Sequence, residues 1–239
     1  MGKGISITWS EGIARRESRI LVQTVDQVIK WLYFRHPMAF YDPPMPVRVF
    51  GNWVIPALMD NQPYWGNQWY IEQSYDRELD RVIAPQYLEL VRREPWQRAT
   101  DHYDLVMIDE DLTEFPAPLA RARPDLHCLG TSLPGTAAIV SVHQVRRIAD
   151  RADRERALAR LVRHHLGHVL AVPSFGRTHA VVRRGLEMHC SNRCVMRHAV
   201  TLEDLIALSE DEAELGWTFC EACTQDLHSV IAANAFVWS

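Results

Sequence analysis

Four of the five cysteines stand in two closely spaced pairs near the C-terminal end of the chain. Three residues separate Cys190 from Cys194, and two separate Cys220 from Cys223. Each pair has the spacing with which two thiolates hold one side of a tetrahedral zinc ion. The 25 residues between the pairs are enough chain to return the second pair to the first. We therefore predict one structural zinc ion, which would stabilise the fold directly because the unfolded chain has no such site.

A second group of metal-binding residues consists of histidines. His164 and His168 are four residues apart in a segment of helical periodicity, so their side chains share one face and can bind one cation. A third ligand must come from another segment, and His189 is the first choice, with His179 as the alternative. Two histidines at this spacing are weak support in a chain with 11 histidines. Ordinary helix histidines, exposed or hydrogen-bonded, are the competing interpretation.

The composition excludes some classes of protein. The chain is 47% hydrophobic and has a formal net charge of −4, so it lacks the basic surface of a nucleic-acid-binding protein. No apolar run approaches the roughly 20 residues of a membrane-spanning helix, and the first residues are too polar for a signal peptide. An odd number of cysteines at metal-type spacing indicates a reducing, cytoplasmic setting with Cys128 as a free thiol. Two disulfides in a secreted protein are the alternative.

The apolar pattern predicts an α/β (α+β) fold in one domain over 1–239, with a sheet-and-helix part at 1–163 and a metal-binding part at 164–239. We expect strands at 4–9, 47–54, 104–108, 127–131 and 137–142, and a loop at 109–126. We expect helices at 14–35, 80–93, 153–171, 201–213 and 221–233. Segment 37–75 is rich in proline and aromatic residues and is expected to be irregular around its strand. Its aromatic residues 65–70 are interpreted as core packing, with a partner surface as the alternative.

At the histidines and cysteines the chain resembles the archaemetzincins, zinc-dependent peptidases of the metzincin clan. The family motif runs H-E-x-x-H-x-x-G-x-x-H-C, then four residues, C-x-M, and a later C-x-x-C. The matching segments here are HHLGHVLA at 164–171, EMHC at 187–190, CVM at 194–196 and CEAC at 220–223. The segments DLVMIDEDLTEFPAP and TAAIVSVHQVRR are also similar to the family's acidic-loop segment and substrate-binding edge strand. The likeness covers about 103–225.

The resemblance implies a fold and a set of ligands. The fold would be a metzincin-like mixed, twisted sheet with a long active-site helix and a C-terminal helical part held by zinc. His164, His168 and His189 would bind a catalytic-type zinc ion, and Met196 would be the methionine of the turn beneath it. Cys190, Cys194, Cys220 and Cys223 would bind the second, structural zinc ion.

The sequence departs from the family pattern at four points. His165 stands at the position of the glutamate that serves as general base. Ala171 replaces the family glycine, so the turn that glycine permits is in doubt. About fifteen extra residues near 174–188 separate the helix from the third ligand, and we expect them to form a loop or short hairpin beside the cleft. The first cysteine pair is one residue shorter.

Three functions are consistent with this pattern. The first is a peptidase-like pseudoenzyme that binds metal and a peptide segment along the edge strand but hydrolyses poorly, because the loss of a general base costs about 10²–10⁴-fold. The second is an active metallohydrolase whose base is His165 or a loop carboxylate from Asp109, Glu110 or Glu187. The third is a non-enzymatic interaction protein with a structural zinc alone. His165 as an additional ligand of another transition metal is a further alternative.

Overall fold

The computed structural model describes residues 3–35, 45–52, 66–94, 97, 99–123, 127–185 and 187–235. Its strands are β1 Gly4–Trp9, β2 Val47–Gly51, β3 Tyr75–Asp76, β4 Arg81–Ile83, β5 His102–Ile108, β6 Leu112–Thr113, β7 Gly130–Leu133, β8 Ala137–Ser141, β9 Val181–Arg184 and β10 Glu187–Cys190. Its helices are α1 Arg15–Arg35, α2 Gly66–Ser74, α3 Ala84–Arg93, α4 Ala117–Ala122, α5 Arg151–Val169, α6 Leu202–Leu215 and α7 Glu221–Ala235, with a 3-10 turn at Val145–Arg147. None of the described helices is both long and apolar enough to cross a membrane.

The main sheet has five strands in the order β2-β1-β5-β8-β7. The pairs β1–β2, β1–β5 and β5–β8 are parallel, and β7 pairs antiparallel with β8 at the edge. Every residue of β5 and β8 is buried, as expected of central strands covered on both faces. The sheet is therefore mixed, which confirms the predicted α/β class.

Alternation along β5 assigns its side chains to two hydrophobic cores. Leu105 and Met107 pack in the core that includes α1 and α5, whereas Val106 and Ile108 pack in the core that includes α3. Successive side chains of a strand point to opposite faces, so one apolar run serves both layers. One face of the sheet thus packs against α1 and against α5, the helix that carries the histidine pair.

Helix α5 has a defined beginning and end. The side chain of Asp150 accepts a hydrogen bond from the backbone N–H of Asp153 at 2.9 Å and caps the N-terminus. At the C-terminus, Ala171 has φ = +57°, its N–H donates to the carbonyl of His168, and the Val172 N–H donates to the carbonyl of Gly167. This is a Schellman motif with alanine at the left-handed position that glycine usually occupies. The turn therefore forms without the family glycine.

The extra segment before the third histidine contains a β-hairpin, as expected. Strand β9 pairs antiparallel with β10, and Gly185 lies in the turn with φ = +57°. His189 pairs with Val182, and Glu187 pairs with Arg184. Residues i and i+2 of a strand share a face, so Glu187 and His189 project on the same side of the hairpin.

The long helices and most strands of the main sheet match the sequence prediction to within two residues. Several predicted elements do not. The predicted helix 80–93 begins only at Ala84, because 81–83 forms strand β4, which pairs with β6, and Pro85 lies in the first turn of the helix. The segment 66–74, predicted to be irregular, is helix α2, and the predicted loop 109–126 contains β6 and α4.

The predicted strand 127–131 is shifted. The regular strand starts at Gly130, and Cys128 makes only an isolated bridge to Leu112. Within the predicted aromatic patch, Tyr70 is buried and Trp69 packs against the second core, so the core-packing interpretation is confirmed for both. Residues 36–44, 53–65 and 124–126 lie outside the described residues. The division into a single domain with two parts stays a prediction.

Replacing Ala171 by glycine should stabilise the protein. A left-handed conformation costs a residue with a Cβ about 1–2 kcal/mol, whereas the added freedom of glycine in the unfolded chain costs about 0.4–1 kcal/mol. We expect Ala171→Gly to raise the free energy of unfolding by about 0.5–1 kcal/mol in urea denaturation. Ala159→Gly, in the middle of the same helix, is the control and should lower it by about 1 kcal/mol. An equal loss in both variants would contradict the strained turn.

Candidate metal centre

Helix α5 and strand β10 bring three imidazoles together. One ring nitrogen from each of His164, His168 and His189 lies within 4.8 Å of the other two, and all three side chains are buried. The Nε2 atoms of His164 and His168 are 3.1 Å apart. His179 is exposed ahead of the hairpin and does not join this group, so the geometry favours His189 over the alternative.

The hydrogen bonds around the three rings leave nitrogens free for a ligand. Nδ1 of His164 lies 2.9 Å from the carbonyl oxygen of Val195, to which it donates when Nε2 is the unprotonated nitrogen. Both ring nitrogens of His189 are buried without a hydrogen-bond partner among the described residues. Buried polar atoms are normally satisfied, and a metal ion satisfies imidazole nitrogens without donating a hydrogen. The residues present therefore fit a metal ion.

Burial also fixes the charge state of the histidines. Removal from water lowers the pKa of His168 to about 3 and holds the pKa of His164 well below its usual range. Desolvation disfavours the charged imidazolium in both cases. The rings are therefore neutral at physiological pH, which is the form that binds metal ions.

Met196 packs directly against α5 beside the histidines. Its side chain is fully buried, and a Cβ added at Gly167 would lie 2.2 Å from the Met196 sulfur. Because residue 167 has no side chain, the thioether of Met196 can lie directly against the helix next to His168. Arg160, also buried, holds the same turn by donating to the carbonyl oxygens of Val195 and Arg197.

His165 takes a different direction from its neighbours. Its ring lines the cleft, and its Nε2 faces Gly130 of β7, where an added Cβ would lie only 2.6 Å away. Its Nδ1 is buried without a hydrogen-bond partner among the described residues. Burial lowers the pKa of His165 to about 4, so the ring is neutral. It does not belong to the group of three ligand nitrogens.

A carboxylate adjoins the imidazole group. Oε1 of Glu187 accepts a hydrogen bond from the hydroxyl of Ser132, and Oε2 lies 3.4 Å from Nε2 of His189 and 3.9 Å from Nε2 of His168. Burial alone would raise the pKa of Glu187, but the neighbouring imidazoles and the Ser132 hydroxyl hold it well below its usual range. The other two loop carboxylates, Asp109 and Glu110, are not among the described residues that line the cleft.

The cleft beside these residues has a volume of about 530 Å³. Its wall includes His164, His165, Glu187 and His189 together with His198. The ring of His198 lies 4.2 Å from that of His189, centroid to centroid, and burial lowers its pKa to about 4. Sequence reasoning missed His198 and Ser132, because neither stands at a spacing that marks a ligand.

The four C-terminal cysteines also converge. One sulfur from each of Cys190, Cys194, Cys220 and Cys223 lies within 4.8 Å of the others, and the sulfurs of Cys190 and Cys220 are 3.6 Å apart. Zn–S bonds of about 2.3 Å in a tetrahedron require sulfurs about 3.8 Å apart. The Arg177 guanidinium donates a hydrogen bond to the sulfur of Cys223 at 3.3 Å. The backbone N–H of Cys220 donates to the sulfur of Cys194 at 3.2 Å. This arrangement fits a tetrahedral zinc ion.

The electrostatics of the thiol cluster favour a cation. Hydrogen bonds from the Cys194 and Cys223 thiols lower the pKa of Cys190 to about 2, and the same bond raises the pKa of Cys194 to about 12. One thiolate is thus stabilised at the expense of its neighbours, and a metal ion lets all four ionise. All five cysteines, Cys128 included, lie in the described part of the chain as free thiols.

Comparison with known proteins identifies the fold. No protein-family model and no curated protein matches the chain. Among solved structures, the archaemetzincin of Methanopyrus kandleri matches with a TM-score of 0.59 at 19% identity, over 97% of this chain and 96% of that one. The archaemetzincin of Archaeoglobus fulgidus, in complex with malonate, matches with a TM-score of 0.55 at 16% identity, over 93% of this chain and 99% of that one.

The chain therefore has an archaemetzincin-like fold, and the prediction of a metzincin-like architecture is confirmed. The likeness extends over nearly the whole chain, beyond the segment 103–225 in which the sequence motifs lie. At these identities it establishes the fold alone. The roles of the histidines and cysteines as ligands depend on their geometry.

Replacing Cys220 by serine should remove the zinc ion of the thiolate site. The loss of one ligand weakens zinc binding, and zinc binding contributes to the stability of the fold. We therefore expect the free energy of unfolding to fall by at least about 2 kcal/mol and the Tm to fall by roughly 4–8 °C. Metal analysis and thermal denaturation measure both effects. Cys128→Ser is the matched control and should retain the zinc content of the unmodified protein. An unchanged zinc content in Cys220→Ser would be incompatible with the four-thiolate site.

Replacing Gly167 by alanine should displace Met196. The added methyl group would overlap the thioether, and such overpacking costs about 1–3 kcal/mol. We expect this loss in the free energy of unfolding together with weaker metal binding at the histidines. Gly176→Ala, where an added Cβ meets no atom within 4 Å, should change stability by less than about 0.5 kcal/mol. Similar effects of both substitutions would show that the methionine contact has no special role.

Proposed function

We propose that this protein is a metzincin-like, zinc-binding peptidase homologue that binds a peptide segment beside its histidine site and hydrolyses peptides weakly or not at all. The observation that carries the proposal is the convergence of three buried imidazoles beside a cleft that is also lined by His165, which stands where the family motif has its glutamate. The zinc ion would polarise a carbonyl oxygen or a bound water. The fold of archaemetzincins, which are zinc metallopeptidases, supports the assignment of class.

The weak activity follows from the chemistry of His165. A glutamate at this position brings a negative charge to the ion, accepts a proton from the attacking water and transfers it to the leaving amine. An imidazole brings no negative charge, and on accepting a proton it becomes a cation beside another cation. The His165 ring also packs against Gly130, so it reaches a different point from a carboxylate.

The peptide would lie along β7. This strand is the antiparallel edge of the main sheet, and an extended peptide adds to such an edge through backbone hydrogen bonds. Gly130, in the same strand, lines the cleft next to the histidines. The edge strand expected from the sequence is the segment TAAIVSVHQVRR, but that segment forms β8, which lies between β5 and β7, so the edge strand next to it is β7.

A second candidate is an active hydrolase that uses another base. Glu187 favours it, because its carboxylate lies beside two of the three histidines. The third candidate, an interaction protein with a structural zinc alone, leaves the buried nitrogens of His189 without a partner. The thiolate site also supports the proposal of a reducing, cytoplasmic setting.

A substitution at position 165 tests the proposal. The unmodified protein should cleave unstructured peptides little or not at all, and His165→Glu should raise the rate by about 10²–10⁴-fold because it restores the general base. His165→Ala is the control and should bring no gain. Cleavage is followed by mass spectrometry with zinc content measured in parallel.

Two outcomes contradict this assignment. Strong cleavage by the unmodified protein that stops on chelation and in His164→Ala would favour an active hydrolase with a different base. A His165→Glu variant that retains its zinc and is as inactive as His165→Ala would show that position 165 does not limit the rate.

A further inference from the structure

We propose that Glu187 is a fourth protein ligand of the ion at the histidine site, and that Ser132 positions it. The inference rests on the proposed binding of metal by His164, His168 and His189. It assigns to this chain a ligand set of three imidazoles and one carboxylate, in which the hairpin β9–β10 supplies two of the four ligands.

The distances match those between ligands of one ion. Ligands at about 2.0–2.1 Å in a tetrahedron lie about 3.3–3.4 Å from one another. Oε2 of Glu187 is 3.4 Å from Nε2 of His189 and 3.9 Å from Nε2 of His168, and the Nε2 atoms of His164 and His168 are 3.1 Å apart. The three imidazoles alone form the group whose ligand atoms all lie within 4.8 Å of one another, so the Glu187 carboxylate would turn towards His164 to complete the coordination.

The contact between Glu187 and His189 is poorly aligned for a hydrogen bond. Nε2 of His189 is buried and makes no hydrogen bond among the described residues, although the carboxylate oxygen is 3.4 Å away. A donor aimed at its acceptor would have formed one at this separation. Two atoms that lie close without facing each other have the relation expected of two ligands of one cation.

Ser132 selects the oxygen that faces the imidazoles. Its hydroxyl donates to Oε1 of Glu187, and both side chains are more than nine-tenths buried. Oε2 is thereby directed towards His168 and His189. Hydrogen bonds of this kind from surrounding residues orient carboxylate ligands in metal sites.

The negative charge of Glu187 would compensate for the negative charge that is lost with the family glutamate. Three neutral imidazoles leave the ion with its full charge of +2, and one ionised carboxylate halves it. Zinc can expand to five ligands, so a water molecule could still join the ion beside this carboxylate. Glu187 would thus strengthen metal binding without replacing the general base.

Metal affinity and the spectrum of cobalt test this ligand. The thiolate site is kept loaded with zinc, and Co²⁺ is titrated into the histidine site against a competing chelator. Glu187→Gln keeps the shape of the side chain and removes its charge, and we expect at least about tenfold weaker binding and a changed d–d absorption spectrum. Ser132→Ala should weaken binding less and leave the ligand set unchanged. Glu114→Gln, which removes another carboxylate from the cleft wall, should bind Co²⁺ as the unmodified protein does.

The outcomes separate this inference from the proposed function. Unmodified protein that binds metal at its thiolates alone would overturn both. Metal at the histidines with an affinity and cobalt spectrum unchanged in Glu187→Gln would overturn the fourth ligand and leave the proposed function standing. Equal weakening in Glu187→Gln and Glu114→Gln would assign the effect to the general charge of the cleft, which also overturns the ligand.

Discussion

The burial of neutral imidazoles at the C-terminal end of α5 is the constraint on which the rest of the site depends. Every residue from 160 to 169 is buried, so the histidine side chains of this helix are shielded from solvent. Two nitrogens of His189 have no hydrogen-bond partner among the described residues, and burial keeps His164 and His168 in the uncharged form. Unsatisfied polar atoms in a protein interior are costly. A cation removes this cost and makes an otherwise unfavourable cluster stable.

The two metal-binding clusters are mechanically joined by strand β10. His189 and Cys190 are adjacent in this strand, and the N–H of Cys190 donates to the carbonyl of Met196. A zinc ion at the four thiolates would therefore anchor the end of the strand that carries the third imidazole and Glu187. It would thus fix the position of the hairpin residues beside the histidine pair, although the two clusters share no residue.

The sequence predicted which histidines and cysteines converge better than it predicted their surroundings. Thiolates and imidazoles bind zinc only at restricted spacings, so the cysteine pairs and His164 with His168 could be identified along the chain. Helix α2 could not, because its packing against α3 overrides a composition rich in aromatic residues. The contact of Ser132 with Glu187 joins residues 55 positions apart, and only the tertiary fold determines it. Glu187 was one of three candidate carboxylates until the hairpin placed it beside His189.

The central claim is that the chain holds two metal ions at separate sites, one at the imidazoles and one at the thiolates. Anomalous diffraction from crystals of the zinc-loaded protein, recorded on both sides of the zinc edge, tests it most directly. The account predicts two peaks per chain, one among His164, His168 and His189 and one among the four cysteines. A single peak at the cysteines, with the histidine cluster open or rearranged around water, would contradict it.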